Sequence, residues 1–293
     1  MEAFGNTENK LPGEVVNGYK IQTSLGEGAF GNVYKVVKEE KTFALKRIEK
    51  RAQELPSVLN EIHSLQNAAH ANVVEYINSF ADGSAYYIVL EYCDHGSLDK
   101  YLQKQKRLGK EKRMGFIQDK ANGISHLHYL GIMHRDLKPA NILINSQCVA
   151  KIADFGLAKI FNSEATVEKL YTNTLVGTYA YMAPEVLKLF SKGAKPMPKD
   201  HYNFQADIFS IGLIFCSILD DDLKIHIETN LIGEKSNTED GYTFKLPSKI
   251  PESMKKLINR MLEKDYHKRP TAREVKEELS SMFQYQEEFA TPM

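Results

Sequence analysis

Four polar residues in the middle of the chain have types and spacings suited to phosphate chemistry. Asp136 ends the motif His-Arg-Asp, Lys138 and Asn141 follow it within the same short segment, and Asp154 opens the motif Asp-Phe-Gly. An aspartate can orient an attacking hydroxyl, a lysine can neutralise phosphate charge, and carboxylate and amide oxygens are ligands that Mg²⁺ prefers. We therefore predict Asp136, Lys138 and Asn141 as catalytic residues, and Asn141 and Asp154 as metal ligands.

A glycine-rich segment lies nearer the start of the chain. Glycines stand at 26, 28 and 31 and are followed by Val33, and backbone without Cβ atoms can approach phosphate oxygens closely. A dinucleotide-binding loop would open a helix after the glycines. The sequence that follows, Val-Tyr-Lys-Val-Val, is instead rich in strand-forming residues. The pattern therefore predicts a glycine-containing hairpin.

Lys46 lies in the second strand after the glycines. Alternation along a strand places Ala44 and Lys46 on one face and Phe43 and Leu45 on the other. A single lysine in a strand is usually an ordinary exposed residue. Glu61, on the helix that we predict next, could hold the ammonium in position for an anionic ligand. The pair therefore predicts a catalytic and ligand-binding role for Lys46.

The elements around these residues divide the chain into two parts. Residues from about Tyr19 to Glu91 consist of short alternating runs with one helix at 59–66, which indicates a mostly antiparallel sheet. From about Ser97 onward the pattern is mainly helical, and the break lies near 93–96. The apolar stretch 206–219 is too short for a membrane span and contains an acid, so we predict a buried helix there.

Composition excludes several function classes. The 293 residues include 38 basic and 38 acidic side chains, so no overall charge would attract nucleic acid or an anionic membrane. The only cysteines, Cys93, Cys148 and Cys216, show no CxxC spacing, which argues against disulfides and structural zinc. The polar first residues lack a secretory pattern. We expect a cytoplasmic or nuclear protein that is not secreted.

The motifs occur in the order found in the eukaryotic protein kinases, and the chain resembles this family, of the serine/threonine type, from about Tyr19 to about Phe283. The resemblance implies an α+β bilobal fold with a small antiparallel β-rich N-lobe, one regulatory helix and a larger α-helical C-lobe. The expected parts are a polar leader (1–18), an N-lobe (about 19–92), a hinge (about 91–96), a C-lobe (about 97–283) and a tail (284–293).

The same resemblance implies roles for individual residues. Gly26, Gly28 and Gly31, after Leu25, resemble the loop that covers the ATP phosphates, and Lys46 with Glu61 resembles the ion pair between a strand lysine and a helix glutamate. Asp136 resembles the catalytic aspartate, and Lys138 the lysine that contacts phosphate. Asn141 and Asp154 resemble the ligands of Mg²⁺, with Mn²⁺ as an alternative ion.

Similarity also locates an adenine site. Leu90 corresponds to the gatekeeper position, and the backbone of Glu91 and Cys93 would bond the base. For Leu90 and Leu143, simple core packing is the alternative interpretation. The side chains expected to enclose the base are Val33, Ala44 and Leu143.

Four further residues are expected to support the structure. Glu185, which ends Met-Ala-Pro-Glu, resembles the residue that closes the activation segment, and its expected partner is Arg269. Asp207 resembles the helix aspartate that braces the catalytic loop. Thr178 resembles a threonine that bonds near the catalytic aspartate and, together with Lys138, implies serine or threonine as the acceptor.

Family members with an arginine before the catalytic aspartate are often controlled by a phosphate on the activation segment. Thr174 is the preferred site here, and Arg135 and Lys159 would meet its phosphate. The competing acceptors are Thr172, Thr166 and Ser163.

The expected partners are protein substrates and an upstream activating kinase, while the oligomeric state is left open. The segment 251–262 resembles the PDLIM-interacting kinase subfamily. Two other functions remain open, a pseudokinase scaffold and a kinase that acts on small molecules or lipids. The intact Lys46 and Asp136 argue against the first, and Lys138 with Thr178 argues against the second.

Overall fold

The computed structural model describes residues 12–28, 31–51, 54–105, 108–160, 179–191, 203–219, 246, 248 and 250–288. Within these residues a strand-rich N-terminal part is followed by a helix-rich C-terminal part. This division confirms the bilobal α+β fold that we expected from the motifs.

The N-lobe contains a six-stranded antiparallel sheet in the order β1-β2-β3-β4-β6-β5. Its first strand lies inside the segment expected to be a polar leader, because Val15 and Val16 pair with Lys20 and Tyr19. The strands of this sheet are β1 (Val15–Val16), β2 (Tyr19–Gly28), β3 (Gly31–Lys38), β4 (Lys41–Glu49), β5 (Tyr76–Asp82) and β6 (Ala85–Glu91).

The glycine-rich segment forms the hairpin predicted for it. Gly28 and Gly31 are partners at the ends of β2 and β3. Gly31 has a φ of 124°, and a Cβ at this position would lie 2.0 Å from the Arg47 carbonyl oxygen. Both the conformation and the close approach of β4 therefore require glycine at 31.

Strand β4 separates two packing environments, as its alternation predicted. Leu45 is fully buried in an apolar cluster on the outer face of the sheet, with Tyr34 and Tyr87. Lys46 and Ile48 face the other way, where Ile48 joins the large core and Lys46 meets the first helix. Consequently the lysine is buried beneath the sheet and not exposed on it.

Helix α1 (Leu55–Asn67) contains the predicted segment 59–66, and Pro56 stands in its first turn. Of the three apolar residues whose spacing predicts this helix, Leu59, Ile62 and Leu65, only Leu65 is buried. Val58, Glu61 and Leu65 are buried, whereas Leu59 is 55% exposed. The face that packs inward is the one that carries Glu61, which places its carboxylate under β4.

The C-lobe is built around α5, which is buried from Ala206 to Ile218, as predicted for the apolar stretch. The inward face of α3 includes one charged residue, Lys120. No helix in the described ranges is both long and apolar enough to cross a membrane. The helices are α2 (Leu98–Lys104), α3 (Lys110–Tyr129), α4 (Pro184–Ser191), α5 (Phe204–Leu219), α6 (Glu252–Met261) and α7 (Ala272–Glu288).

Two small sheets lie between the lobes and carry the polar motifs. β9 (Ile142–Ile144) pairs with both β10 (Ala150–Ile152) and β7 (Gly96–Ser97), and β8 (Ile132–Met133) pairs with β11 (Lys159–Ile160). The loop between β8 and β9 contains Asp136, and the loop between β10 and β11 contains Asp154. Because β9 pairs with β10, the loop that contains Asp136 and the loop that contains Asp154 lie close together.

Candidate active site

Lys46 and Glu61 form a close ion pair beneath the N-lobe sheet. The Lys46 Nζ lies 2.6 Å from Glu61 Oε1 and 3.2 Å from Asp154 Oδ1, and both Lys46 and Glu61 are almost fully buried. Burial alone would lower the pKa of Lys46, but the two carboxylates outweigh it and raise the pKa above its ordinary value. Lys46 therefore stays charged and points toward the residue predicted as a metal ligand.

The catalytic-loop residues converge on Asp136. Lys138 Nζ donates to both carboxylate oxygens of Asp136, at 3.1 and 2.8 Å. The Asn141 amide nitrogen donates to the Asp136 backbone carbonyl at 2.8 Å and to its Oδ2 at 2.9 Å. The carboxylate is thus fixed by a cation and an amide, and it can act only as an acceptor toward a hydroxyl.

Asp207, on α5, bonds the backbone of the two residues that precede Asp136. Its Oδ2 accepts from the His134 amide and its Oδ1 from the Arg135 amide, both at 2.9 Å. Arg135 has a φ of 69°, a conformation that costs a non-glycine residue free energy. Paired amide bonds to a buried carboxylate keep the chain in this conformation, which agrees with the bracing role expected for Asp207.

The oxygen atoms near Asp154 suit a hard divalent cation. Because Asn141 uses its amide nitrogen on Asp136, its side-chain oxygen remains as an oxygen donor. Partial burial would raise the pKa of the Asp154 carboxyl, but the Lys46 ammonium holds it below its usual value. Asp154 therefore stays ionised. An amide oxygen and an ionised carboxylate fit Mg²⁺ better than a softer metal.

The residues predicted to surround adenine lie along the hinge. Ala44 and Leu90 are direct partners in β4 and β6, and Leu143 pairs with Ser97. The Glu91 amide donates to the Glu75 carbonyl at 3.0 Å, so a base that bonds Glu91 would have to use its carbonyl oxygen. Leu90 and Leu143 are partly buried against the core, which also agrees with the packing interpretation.

The hinge side chains form a polar contact that the sequence did not predict. Glu91 Oε2 lies 2.9 Å from the Nζ of Lys151, and the Cys93 thiol points at Glu91 Oε1 from 3.6 Å. Burial, reinforced by the Glu91 charge, raises the pKa of Cys93 to about 12. No sequence pattern predicts the contact between Glu91 and Lys151, because the two residues lie in different strands, β6 and β10.

The glycine-rich hairpin lies next to the strand that carries Lys46. Val33 pairs with both Gly26 and Lys46, so the strand that follows the glycines lies beside β4 in the same sheet. Leu25 is 38% exposed at the edge of β2. The predicted phosphate loop is therefore one strand away from the predicted phosphate-binding lysine.

The predicted structural pair lies below the cleft. Arg269 Nη1 and Nη2 approach the two Glu185 oxygens at 2.6 and 2.8 Å. Arg269 also donates to the carbonyls of Gln205 and Glu263. The pairing expected from the resemblance is therefore present between the start of α4 and the segment before α7.

The regulatory residues are only partly described. Lys159 lies in β11 opposite Met133, and Arg135 is buried within the loop that Asp207 braces. Thr174, Thr178 and the competing acceptors Thr172, Thr166 and Ser163 lie outside the described residues. Their roles stay predictions.

Two more polar contacts were not predicted. His128 Nε2 lies 3.0 Å from Asp207 Oδ2. The Asn60 amide nitrogen donates to the Ala158 carbonyl at 2.6 Å. His128 stands six residues before His134 and could have been suspected as a partner of the loop, but no sequence signal connects Asn60 with Ala158.

Comparison with known proteins gives one family and several relatives. The family model that matches residues 19–279 is described as the protein kinase domain. The chain is 31% identical over 258 residues to serine/threonine-protein kinase pakF of Dictyostelium discoideum, an alignment that covers 86% of this chain and 21% of that protein. It is 31% identical over 268 residues to serine/threonine-protein kinase atg1 of the same organism, with coverages of 87% and 38%.

A third relative is serine/threonine-protein kinase cst-1 of Caenorhabditis briggsae, which is 34% identical over 208 residues, or 70% of this chain and 38% of that protein. The chain thus matches well under half the length of each of these three relatives.

Proposed function

The chain belongs to the protein kinase family, with a catalytic domain of the serine/threonine type, and we propose that it transfers the γ-phosphate of ATP to serine and threonine hydroxyls of proteins. Two contact clusters support this proposal, Lys46 with Asp154 and Asp136 with Lys138 and Asn141, and they are linked because the Ala153 amide donates to the Asn141 carbonyl at 2.9 Å. The PDLIM-interacting kinase subfamily stays a prediction.

In this proposal Asp136 orients the acceptor hydroxyl. Its carboxylate is held by Lys138 and Asn141, so the acceptor would meet an oxygen with little freedom to move. Lys138 is charged and adjacent, and it would stabilise the phosphoryl group during transfer. Most of the rate enhancement would come from positioning and electrostatics, because phosphoryl transfer requires little covalent chemistry from the protein.

Lys46 would bind the ATP phosphates. Its ammonium is fixed by Glu61, and Lys46 is the strand partner of Val33, which follows the glycines. Gly26, Gly28 and Gly31 would cover the phosphates. The adenine would lie between the side chains of Val33, Ala44 and Leu143, beside the Glu91 and Cys93 backbone, with Leu90 behind it.

Asn141 and Asp154 would hold Mg²⁺. The ion, when bound, would neutralise charge on the ATP phosphates. The orientation of the Asn141 amide and the ionised state of Asp154 support this assignment. Mn²⁺ accepts the same oxygen ligands and is the alternative ion.

Regulation and partners complete the proposal. Phosphorylation of Thr174 by an upstream kinase would order the activation segment through Arg135 and Lys159. The substrates would be proteins. The three cysteines are free thiols, which fits a reducing compartment such as the cytoplasm or nucleus.

The test is ATP turnover with a degenerate peptide library, comparing the wild type with Asp136→Asn and with Mg²⁺ present or removed by chelation. Phosphoamino-acid analysis then identifies the acceptor. We expect phosphoserine or phosphothreonine that depends on Mg²⁺ and is lost in Asp136→Asn.

Two results would contradict the proposal. Phosphotyrosine alone would refute the assigned acceptor. ATP binding without transfer, even after phosphorylation of the activation segment, would indicate a scaffold that acts by binding.

A further inference from the structure

We propose that Asn60 is a positioning residue that ties helix α1 to the segment after Asp154, and that this contact keeps Glu61 against Lys46 without the help of a phosphate. The proposal rests on the proposed kinase function, because it concerns the placement of the lysine that would bind ATP.

The contact joins two parts of the site. Asn60 immediately precedes Glu61, and its amide nitrogen donates to the Ala158 carbonyl at 2.6 Å. Ala158 lies four residues after Asp154 and is 1% exposed. A buried carbonyl that loses its donor is left unsatisfied, which costs free energy. The bond therefore favours the arrangement in which α1 lies against the segment that carries Asp154.

Two anchors on neighbouring helix residues restrict α1 more than one would. Successive residues on a helix point about 100° apart, so Glu61 reaches up to Lys46 while Asn60 reaches across to Ala158. With one polar contact alone, rotation about the attachment point would be opposed only by the apolar packing of residues such as Val58 and Leu65. Together the contacts oppose both rotation of α1 and its movement away from the cleft.

The composition of α1 indicates why a neutral anchor matters. The helix sequence, Leu-Pro-Ser-Val-Leu-Asn-Glu-Ile-His-Ser-Leu-Gln-Asn, has no lysine or arginine. A phosphate on the activation segment would therefore find no long cationic side chain on α1. The cations expected to meet such a phosphate, Arg135 and Lys159, lie elsewhere. We infer that phosphorylation orders the activation segment, while Asn60 holds α1.

The chain supplies a matched control within the same helix. Asn67 also donates its amide to a backbone carbonyl, that of His63, at 2.7 Å. This bond stays inside α1 and is exposed to solvent. Asn60→Ala and Asn67→Ala therefore remove the same group from the same helix, and only the first removes a contact with the Asp154 segment. Asn60→Asp keeps the shape of the side chain but removes the donor.

The experiment uses protein treated with phosphatase, so that no phosphate contributes. The steady-state constants for ATP are measured for each variant, and amide hydrogen exchange is followed across 55–67 and 158–160. We expect Asn60→Ala and Asn60→Asp to lower kcat/KM for ATP by roughly fivefold to tenfold, the loss expected for one hydrogen bond. Exchange in α1 should quicken in both, while Asn67→Ala stays near wild type.

Wild-type kcat/KM and wild-type exchange in both Asn60 variants would overturn the proposal. A loss of thermal stability without either change would also overturn it, since that result describes a purely structural contact. If the wild-type protein shows slow exchange in α1 only after phosphorylation, then the Asn60 contact does not hold the helix without a phosphate, and this part of the proposal is refuted. If no protein form transfers phosphate, the proposed function fails, but the exchange data still decide the role of Asn60.

Discussion

Glu185 and Arg269 are joined by two parallel hydrogen bonds, and the Arg269 side chain has no exposed surface. A guanidinium and a carboxylate that meet in this way form a strong and geometrically specific pair. Arg269 also bonds the Gln205 carbonyl, at the start of α5. The pair thus links α4, α5 and the segment before α7, and a buried charge depends on it.

We predict that Glu185→Ala lowers the free energy of unfolding by about 3 kcal/mol, because it leaves Arg269 charged and buried without its partner. The measurement is urea-induced unfolding followed by circular dichroism. Glu278→Ala is the control, since Arg260 and Glu278 also lie 2.6 Å apart but their side chains are 47% and 35% exposed. Such surface pairs contribute about 0–1 kcal/mol. Equal losses of unfolding free energy in Glu185→Ala and Glu278→Ala would show that burial of an ion pair does not determine the cost of breaking it.

Lys46→Met should reduce kcat/KM for ATP by about 100-fold or more, the loss expected when a fixed charge is removed from a reacting centre. Phosphate incorporation into a peptide measures it. Lys50→Met is the control, because Lys50 directly follows β4, is exposed and bonds the Gly83 carbonyl. Substantial turnover in Lys46→Met would contradict the role assigned to the lysine.

Asp207→Asn should lower kcat by about 10- to 100-fold while the KM for ATP changes little, because the bonds from Asp207 position the loop that carries Asp136 and not the nucleotide. An asparagine can accept at one side-chain atom only, so one of the His134 and Arg135 amides loses its partner. Asp265→Asn makes the same replacement at the surface, where one carboxylate oxygen accepts from the His267 amide, and serves as control. A change in KM alone would argue against this interpretation.

Lys120→Met should stabilise the protein near neutral pH by about 2–4 kcal/mol. Lys120 is 1% exposed, and its Nζ donates to the Phe116 carbonyl at 2.8 Å. Burial, opposed only in part by the Asp119 charge, lowers the pKa of Lys120 to about 7. A methionine would fill a similar volume without a charge to desolvate.

The pH dependence of stability gives a second test of Lys120. The folded-state pKa lies below the ordinary value of 10.5, so between these values the folded protein binds fewer protons than the unfolded chain. Stability should therefore rise as the pH increases from about 7 toward 10. Urea unfolding at several pH values should show this rise in the wild type and in Lys110→Met, an exposed control on α3, but a smaller one in Lys120→Met. Identical profiles would contradict the prediction.

Thr174→Ala should reduce phosphate transfer while the thermal stability stays near that of the wild type, because the threonine would act through its phosphate and not through packing. The control set is Ser163→Ala, Thr166→Ala and Thr172→Ala, each measured after treatment with the same upstream kinase. Full activity of Thr174→Ala would eliminate this site.

The sequence predicted contacts whose members lie in recognisable motifs, and it missed contacts between ordinary residues. Glu185 with Arg269 and Lys46 with Glu61 are joined as expected. No sequence pattern identified Lys151 as the partner of Glu91, because their contact depends on where β10 and β6 lie in the folded protein. Only the folded chain brings such residues together.

The same limit applied to the first helix. Apolar spacing correctly predicted a helix at 59–66, but it did not indicate that Glu61 is buried while Leu59 is 55% exposed. Glu61 shares the buried face of α1 with Val58 and Leu65, so apolar packing and the ion pair with Lys46 favour the same rotation of the helix.

The state of the Cys93 thiol bears on the chemistry of inhibitors. With a pKa raised to about 12, the sulfur is almost never a thiolate at physiological pH, and the thiolate is the form that attacks electrophiles. Only 6% of Cys93 is exposed. Acrylamide and chloroacetamide compounds directed at the hinge should therefore react slowly with Cys93, and their affinity for the hinge would come from shape and hydrogen bonding.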